Sequence, residues 1–427
     1  MIRSRPGDAR VRLAAALSIV SYRRFLSGLF VSMTATWMHA VAVAWWIVDR
    51  GGGGVQLGVV AALQFGPILA IGPIGGLLAD RMEKRRLLVG AQLTAAAVMV
   101  ALTASEFAGR TTLPVIYATA FGLGLVNAVD NPTRRAFISE MVPTDAIQNA
   151  VSLQTAATTL SRVIGPLIAG GLIAIGGPAT SFAANAASFL AFAGLIASIR
   201  PASLTPVRAR RGPRQLRTAI TYAVTHRNIL VPLAMTFVLS VLTWEHEIVL
   251  PVLASDTFGG SAVTLAILFA ALSAGNVIGA LYAGTITSSN RHLDIGAVIV
   301  GVGIGVTALA PSVPFALVPL AIAGGGFAVF FSTANALLQR GAPPEMRGRI
   351  LALMSMVFLG GRPIGGPTVG AIIELAGPRS GLVCGAIGAA TALVVGRRLR
   401  SPSRQATDGE RELVPLRTIE AHTDGEV

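Results

Sequence analysis

Charge is what this chain has least of: Asp, Glu, Lys and Arg make up 13% of its 427 residues, where a soluble domain carries about a quarter. That scarcity excludes an ordinary soluble globular domain. Cysteine is almost missing as well. The one residue, Cys384, excludes an intramolecular disulfide and any cysteine-cluster metal site, and its place in an apolar run makes it a packing residue. No phosphate-cradling Gly-Lys-Ser/Thr loop, paired metal-ligand spacing or nucleophile elbow stands on a polar segment, and the loops are too short for a catalytic domain. These absences argue against an enzyme, a cofactor, a resident metal and ATP-driven work by this chain alone.

What fills the chain instead is hydrophobic sequence, 53% of residues with mean hydropathy +0.68, arranged in long runs. The runs are Phe25–Val48, Gln56–Ala79, Leu87–Ser105, Leu113–Val129, Ala150–Ile175, Ala179–Ile199, Ile229–Leu253, Ala262–Ile286, Ile295–Ala310, Val313–Leu338, Ile350–Ile373 and Ser380–Gly396. About 20 apolar residues suffice for a helix to cross ~30 Å of hydrocarbon, so the pattern predicts an all-α membrane protein of twelve transmembrane helices. The first run is too long for a signal-peptide core and no small-residue cleavage site follows it, so an uncleaved N-terminus is expected.

The formal charge of +14 does not call for nucleic acid. The basic residues sit almost wholly in alternate loops (1–24, 81–86, 134–135, 200–227, 291, 340–349 and 397–417), the intervening loops holding little beyond Arg50, Arg110 and Arg379, as the positive-inside rule requires of cytoplasmic loops. Both termini are therefore expected in the cytoplasm of a plasma (inner) membrane, with the lipid bilayer as the main partner and no obligate protein partner. The longest polar interruption, 200–228, divides the runs six and six. This gives an N-terminal cytoplasmic segment 1–24, a bundle 25–199, a cytoplasmic linker 200–228, a second bundle 229–396, and a tail 397–427 whose polar, mixed-charge composition reads as disordered.

The halves repeat. Pro143, Asp145, Leu153, Arg162, Ile164, Gly165 and Gly170 recur at a constant spacing as Pro343, Glu345, Leu353, Arg362, Ile364, Gly365 and Gly370, and Gly75-Gly76-Leu77 recurs as Gly279-Ala280-Leu281. A parallel duplication of six-helix units follows, related by an axis along the membrane normal.

The stretch Gly75-Gly76-Leu77-Leu78-Ala79-Asp80-Arg81-Met82-Glu83-Lys84-Arg85-Arg86 resembles the signature loop of the major facilitator superfamily. Small residues permit close helix approach, Asp80 can serve a neighbouring helix end, and Arg81, Arg85 and Arg86 suit anionic headgroups. A second stretch, Asn127 to Phe137 followed by Asn149-Ala150-Val151-Ser152-Leu153, resembles the superfamily branch of bacterial enterobactin and macrolide exporters. The resemblance implies the major facilitator fold, two pseudo-symmetric six-helix bundles around a central cavity. It also implies a cytoplasmic latch of Gly75, Gly76, Asp80, Arg81, Arg85 and Arg86 and efflux of a bulky, partly apolar compound. Asp130 beside Arg134 is either a salt-bridge part of that latch or a functional pair, unless Arg134 and Arg135 are only cytoplasmic anchors. Arg162 to Gly171 resembles the Gly-Pro element of antiporters, in which Gly165, Pro166 and Gly170, with Gly365 in the second half, would pack helices and gate the cavity. Here the Gly-Gly pair falls one residue late, and the fourth run lacks the arginine of many proton-coupled members.

Candidate substrate or proton-coupling residues come from charges that hydrocarbon makes expensive. Arg162 lies about twelve residues into its run, ~18 Å deep, and Arg362 takes the equivalent place in the other half. Facing arginines call for an acidic substrate group or a buried carboxylate, unless each only bridges helices within its own bundle. Glu245 and Glu247 cannot share one helix side. A carboxyl that alternates between apolar and wet surroundings can carry a proton, whereas interfacial placement would leave either one idle. His39 near the middle of the first run is a further candidate or a packed, hydrogen-bonded residue. The resulting expectation is a small-molecule exporter of a drug-like compound, siderophore or secondary metabolite, driven by proton antiport. An uptake permease of the same fold, a sensor or scaffold, and a lipid flippase are the alternatives.

Overall fold

A backbone in hydrocarbon has no water to bond and must close its own hydrogen bonds, which is why long apolar runs become helices. In the computed structural model, which describes residues 15–201, 204 and 214–401, every run is helical and no strand occurs among the described residues. The spans are α1 Val20–Asp49, α2 Gly54–Arg81, α3 Lys84–Phe107 and α4 Leu113–Met141. A continuous stretch, Ile147–Ala197, supplies α5 (147–175) and α6 (178–197), which meet at a bend where Gly177 has φ 70° and ψ −178°, a conformation almost confined to glycine. Thr180 steadies the bend by donating its hydroxyl to the Leu172 and Gly177 carbonyls at 3.0 and 2.7 Å.

In the second half α7 is broken into α7a Arg227–Leu242 and α7b His246–Val252. There follow α8 Ala262–Thr285, α9 Asn290–Ala308, α10 Val313–Gly341, α11 Arg347–Ala376 and α12 Pro378–Arg400. Among the described residues eleven stretches are long and apolar enough to cross a membrane, and the bend at Gly176–Gly177 makes one of them two, which matches the expected twelve helices. The linker contains a further helix, Arg214–Thr225. The disordered tail expected over 397–427 does not begin at 397: Arg397–Arg400 continue α12, where Arg400 pairs with Asp294 at 2.7 Å, and the rest of that expected tail, beyond 401, lies outside the described residues.

Two expectations need correction. Leu113–Val129 understates α4, which runs on to Met141 through Asp130, Pro132 and Arg134. The helix survives there because its buried polar groups find interhelical partners, so Arg134 is a buried helix residue and not a loop anchor. Ile229–Leu253 is also not one unbroken helix. The amides of Thr243 and Trp244 both donate to the Leu239 carbonyl at 2.9 Å, ending α7a, and those of Ile248 and Val249 return to the Glu245 carbonyl at 2.9 and 3.0 Å, starting α7b.

The large apolar side chains left exposed mark the lipid face. Ile175 and Leu375, equivalent in the repeat, are 89% and 87% exposed, which is affordable only against hydrocarbon. Helices pack mainly within each half, and the halves meet along α2–α11 and α5–α8. The backbones come closest near the end opposite the Arg-rich loops. A Cβ added to Gly54 would stand 2.6 Å from the Gly370 carbonyl, one added to Gly58 2.5 Å from the Gly366 carbonyl, and one added to Gly170 2.6 Å from Ala266. Only glycine permits such contact, so the two halves pack backbone to backbone at that end. Toward the Arg-rich end Gln148, Thr155 and Arg162, spaced by seven on α5, share a face on which Gln148 and Thr155 are exposed and Arg162 is half-buried.

Candidate functional site

The deep arginines stand where the two halves meet, and each reaches an aromatic ring of the opposite half. The Arg362 guanidinium lies 4.2 Å from the Phe65 ring centre, and that of Arg162 lies 5.6 Å from Trp244 and 4.7 Å from Trp37 of its own half. Their partners differ. Arg362, 4% exposed, donates to Glu247 at 2.8 Å, which answers the expectation of a buried carboxylate for this arginine. Among the described residues Arg162 has no hydrogen-bond or ion-pair partner for its guanidinium; Glu247 is near enough for its charge to act on Arg162 as well as on Arg362. The Trp244 ring is itself held edge-on by Phe327 and Phe358, at 4.5 and 5.0 Å between ring centres.

The break in α7 sends consecutive side chains in different directions, as the spacing of Glu245 and Glu247 requires. Glu247 points to the interface between halves. Glu245, 1% exposed, turns into the second half beside Gly365, with neither carboxyl oxygen hydrogen-bonded. It borders a small apolar cavity of ≈ 20 Å³ with His246, Val249 and Leu320. Neither carboxylate is on the exposed surface. His39 is buried at 6% exposure, edges the Phe182 ring at 5.5 Å, and leaves Nδ1 without a partner. His39, Gln64, Thr119 and Glu247 line a second cavity of ≈ 40 Å³, room for a few waters at the ~10–15 Å³ each requires. Arg162, Arg362, Glu247 and, through this cavity, His39 are thus brought together, with Glu245 behind them.

The latch residues are dispersed. Gly75 abuts the Ala128 backbone of α4, whereas Gly76 faces open space. Asp80 is half-buried without a hydrogen bond or ion pair, Arg81 is exposed, Arg85 donates to the Ala197 carbonyl at 2.5 Å, and Arg86 pairs with Glu83 at 2.6 Å. All of these contacts stay in the first half. Asp130 pairs with Arg134 one turn away and accepts from Gln92 at 2.9 Å. Of the packing residues, Gly165 lies against α1 at Thr34 and Trp37, Pro166 is buried, Gly170 meets α8, and Gly365 meets α7 at Val241. The one polar contact across the halves toward the Arg-rich end, among the described residues, is Arg135 to Ser355 at 3.4 Å.

Sequence reasoning missed Gly54, Gly58 and Gly366, and saw Gly370 only as a repeat match. Glycine is common throughout the chain, and nothing in one sequence tells which glycines meet. It also passed over Trp37, Trp244 and Phe65 as ring partners. A ring flanking a deep charge four or five residues away on the same helix face was a usable signal only within one helix, and these contacts join different helices.

Residues 14–424 match the family described as transmembrane secretion effector. The enterobactin exporter EntS of Escherichia coli O127:H6 is 26% identical over 359 residues, 82% of this chain and 85% of the relative. Macrolide efflux protein A of Streptococcus pyogenes is 22% identical over 347 residues, 79% and 86% of the two chains. The crystal structure of a bacterial homologue of the human lysosomal transporter Spinster, inward-facing and unoccupied, superposes with TM-score 0.72 at 14% identity, covering 90% of this chain and 99% of that one; at that identity it bears on the fold alone.

Proposed function

The chain belongs to the transmembrane secretion effector family of major facilitator transporters, and from that premise we propose that it exports a drug-like compound, siderophore or secondary metabolite by proton-coupled alternating access. The observation that carries this reading is the ionisable cluster of Arg162, Glu247 and Arg362 set between two halves whose backbones pack closely at one end. Export, not uptake, is supported by relatives named as exporters of enterobactin and macrolides.

With the Arg-rich loops and both termini in the cytoplasm of the inner membrane, the glycine seal of α2–α11 and α5–α8 closes the outer side and the exposed face of α5 looks inward. Rocking of the halves about the central cluster opens the outer side. Asp80, Arg81, Arg85 and Arg86, disengaged from the second half in this state, latch it when the inner side closes. Glu247, held by Arg362 and adjoining the cavity shared with His39, and Glu245 behind it are the groups through which protons are exchanged for substrate.

Accumulation of a fluorescent substrate panel in everted membrane vesicles under an imposed pH gradient tests the reading. Gradient-driven accumulation is expected in the wild type and is lost in Glu247→Gln. Accumulation in right-side-out vesicles instead would make the chain an uptake permease, and failure to move any compound by a correctly folded protein would sink the transport reading.

A further inference from the structure

Of the two central arginines, only one has a counter-ion. Arg362 is committed to Glu247 at 2.8 Å. Arg162 is half-buried in the plane where the halves meet, keeps a guanidinium with no hydrogen bond or ion pair, and is flanked by Trp37 of one half and Trp244 of the other. Five guanidinium N–H donors without an acceptor at membrane depth are costly, and stacking on indole offsets only part of that cost. The carboxylate nearest in charge, Glu247, cannot serve both arginines without giving up Arg362. Glu245 is turned away into its own apolar cavity. Gln148 and Thr155, exposed on the same face of α5 as Arg162, extend that face from the guanidinium toward the Arg-rich end.

We infer that Arg162, between Trp37 and Trp244, is the anion-binding element of the transport site, and that the substrate is an anionic amphiphile whose oxyanion pairs with Arg162 while its flat apolar part lies on the two indoles. This rests on the reading of the chain as a transporter and adds the substrate's charge. The Glu247–Arg362 pair then has a defined place: while Glu247 is ionised its charge is spent on Arg362, and Arg162 is left to face the ligand. Because one indole belongs to each half, a ligand clasped there touches both bundles at once, as a substrate that drives their relative motion must.

The test uses full-length protein in lipid nanodiscs and three probes of one shape: 2-naphthoate, neutral 2-naphthamide and cationic 2-naphthylmethylammonium, with binding read from quenching of tryptophan fluorescence. In the wild type naphthoate is expected to bind at least about ten-fold more tightly than naphthamide, the range of one charge-assisted hydrogen-bonded pair, and the cation most weakly. Arg162→Gln should erase that preference. Arg162→Lys, which keeps the charge and loses the planar stacking, should retain a reduced one. Equal affinity for naphthoate and naphthamide in the wild type overturns the inference without any variant, as does a preference surviving Arg162→Gln. Parallel uptake of the three probes by everted vesicles separates the two levels of the proposal. Transport that favours the neutral or cationic probe leaves the transporter reading standing and rejects the anion site, whereas transport of none of them, alongside selective naphthoate binding, counts against the transporter reading alone.

Discussion

Replacing Arg362 by Met strands Glu247 at the centre of the molecule. The side chains of Arg362 and Glu247 retain 5% and 21% of their exposure. Removing one partner of a fully buried pair costs about 3–5 kcal/mol, because the survivor is left charged and unpaired. Since Glu247 keeps some access to water, the expected loss is smaller, roughly 2–4 kcal/mol. Glu247→Leu should cost a comparable amount by stranding Arg362, whose Phe65 face, 4.2 Å away, is a weak substitute for a carboxylate. The double variant removes both charges, leaves no stranded ion, and is expected to be more stable than the sum of the single losses by at least about 1.5 kcal/mol. Equilibrium unfolding in mixed micelles, followed by circular dichroism on the four proteins, measures the cycle. Losses that add within about 0.5 kcal/mol would refute the pairing on which the division of labour between the two arginines depends.

Three further outcomes follow from the same physics. Gly58→Val drives a branched side chain into the Gly366 backbone, 2.5 Å from the Gly58 Cβ position; overpacking of about 1–3 kcal/mol falls on the outward-sealed state alone, so transport should fall at least several-fold with expression intact, as vesicle uptake normalised to protein will show. Asp130→Asn leaves the 6%-exposed Arg134 without its carboxylate and should lower stability by about 3 kcal/mol, read as an earlier unfolding midpoint. Gly177→Ala forces a side chain into φ 70° and should cost about 1–3 kcal/mol with substrate affinity unchanged, separating the α5–α6 bend from the site.

Much of the fold was legible because hydrocarbon imposes a single demand, and the sequence meets it in runs long enough to count. The repeat was legible because Arg162 and Arg362 stand out in otherwise apolar sequence, and both arginines do lie where the halves meet. Hydropathy failed where polar residues are buried. Thr133, Arg134 and Glu140 lengthen α4 because protein partners replace water: Thr133 donates to the Val129 carbonyl and Arg134 pairs with Asp130 within α4, while Glu140 takes Lys84 of α3 at 2.7 Å, and hydropathy along one run registers none of this. The break in α7 escaped for the opposite reason. Thr243 and Trp244 are compatible with a helix locally, and what stops it is tertiary: Thr243 donates to the Gly385 carbonyl at 3.0 Å and the Trp244 ring is anchored among phenylalanines. The direction of Glu245 and Glu247 depended on that break. That the two arginines would differ in partner was likewise invisible, since their sequence contexts match.

The most direct test of alternating access is site-directed labelling with a membrane-impermeant maleimide, simplified by a chain whose one cysteine, Cys384, can be replaced by Ser. Single cysteines at Thr155, on the exposed face of α5, and at Val60, in the cavity beneath the seal, would be labelled in everted vesicles and in intact cells. Without substrate, Thr155→Cys should react from the cytoplasmic side and Val60→Cys should stay silent from outside. With a transported compound and a pH gradient, the first rate should fall as the second rises. Simultaneous labelling of both from their two sides, or rates indifferent to substrate and gradient, would contradict a carrier that opens one side at a time.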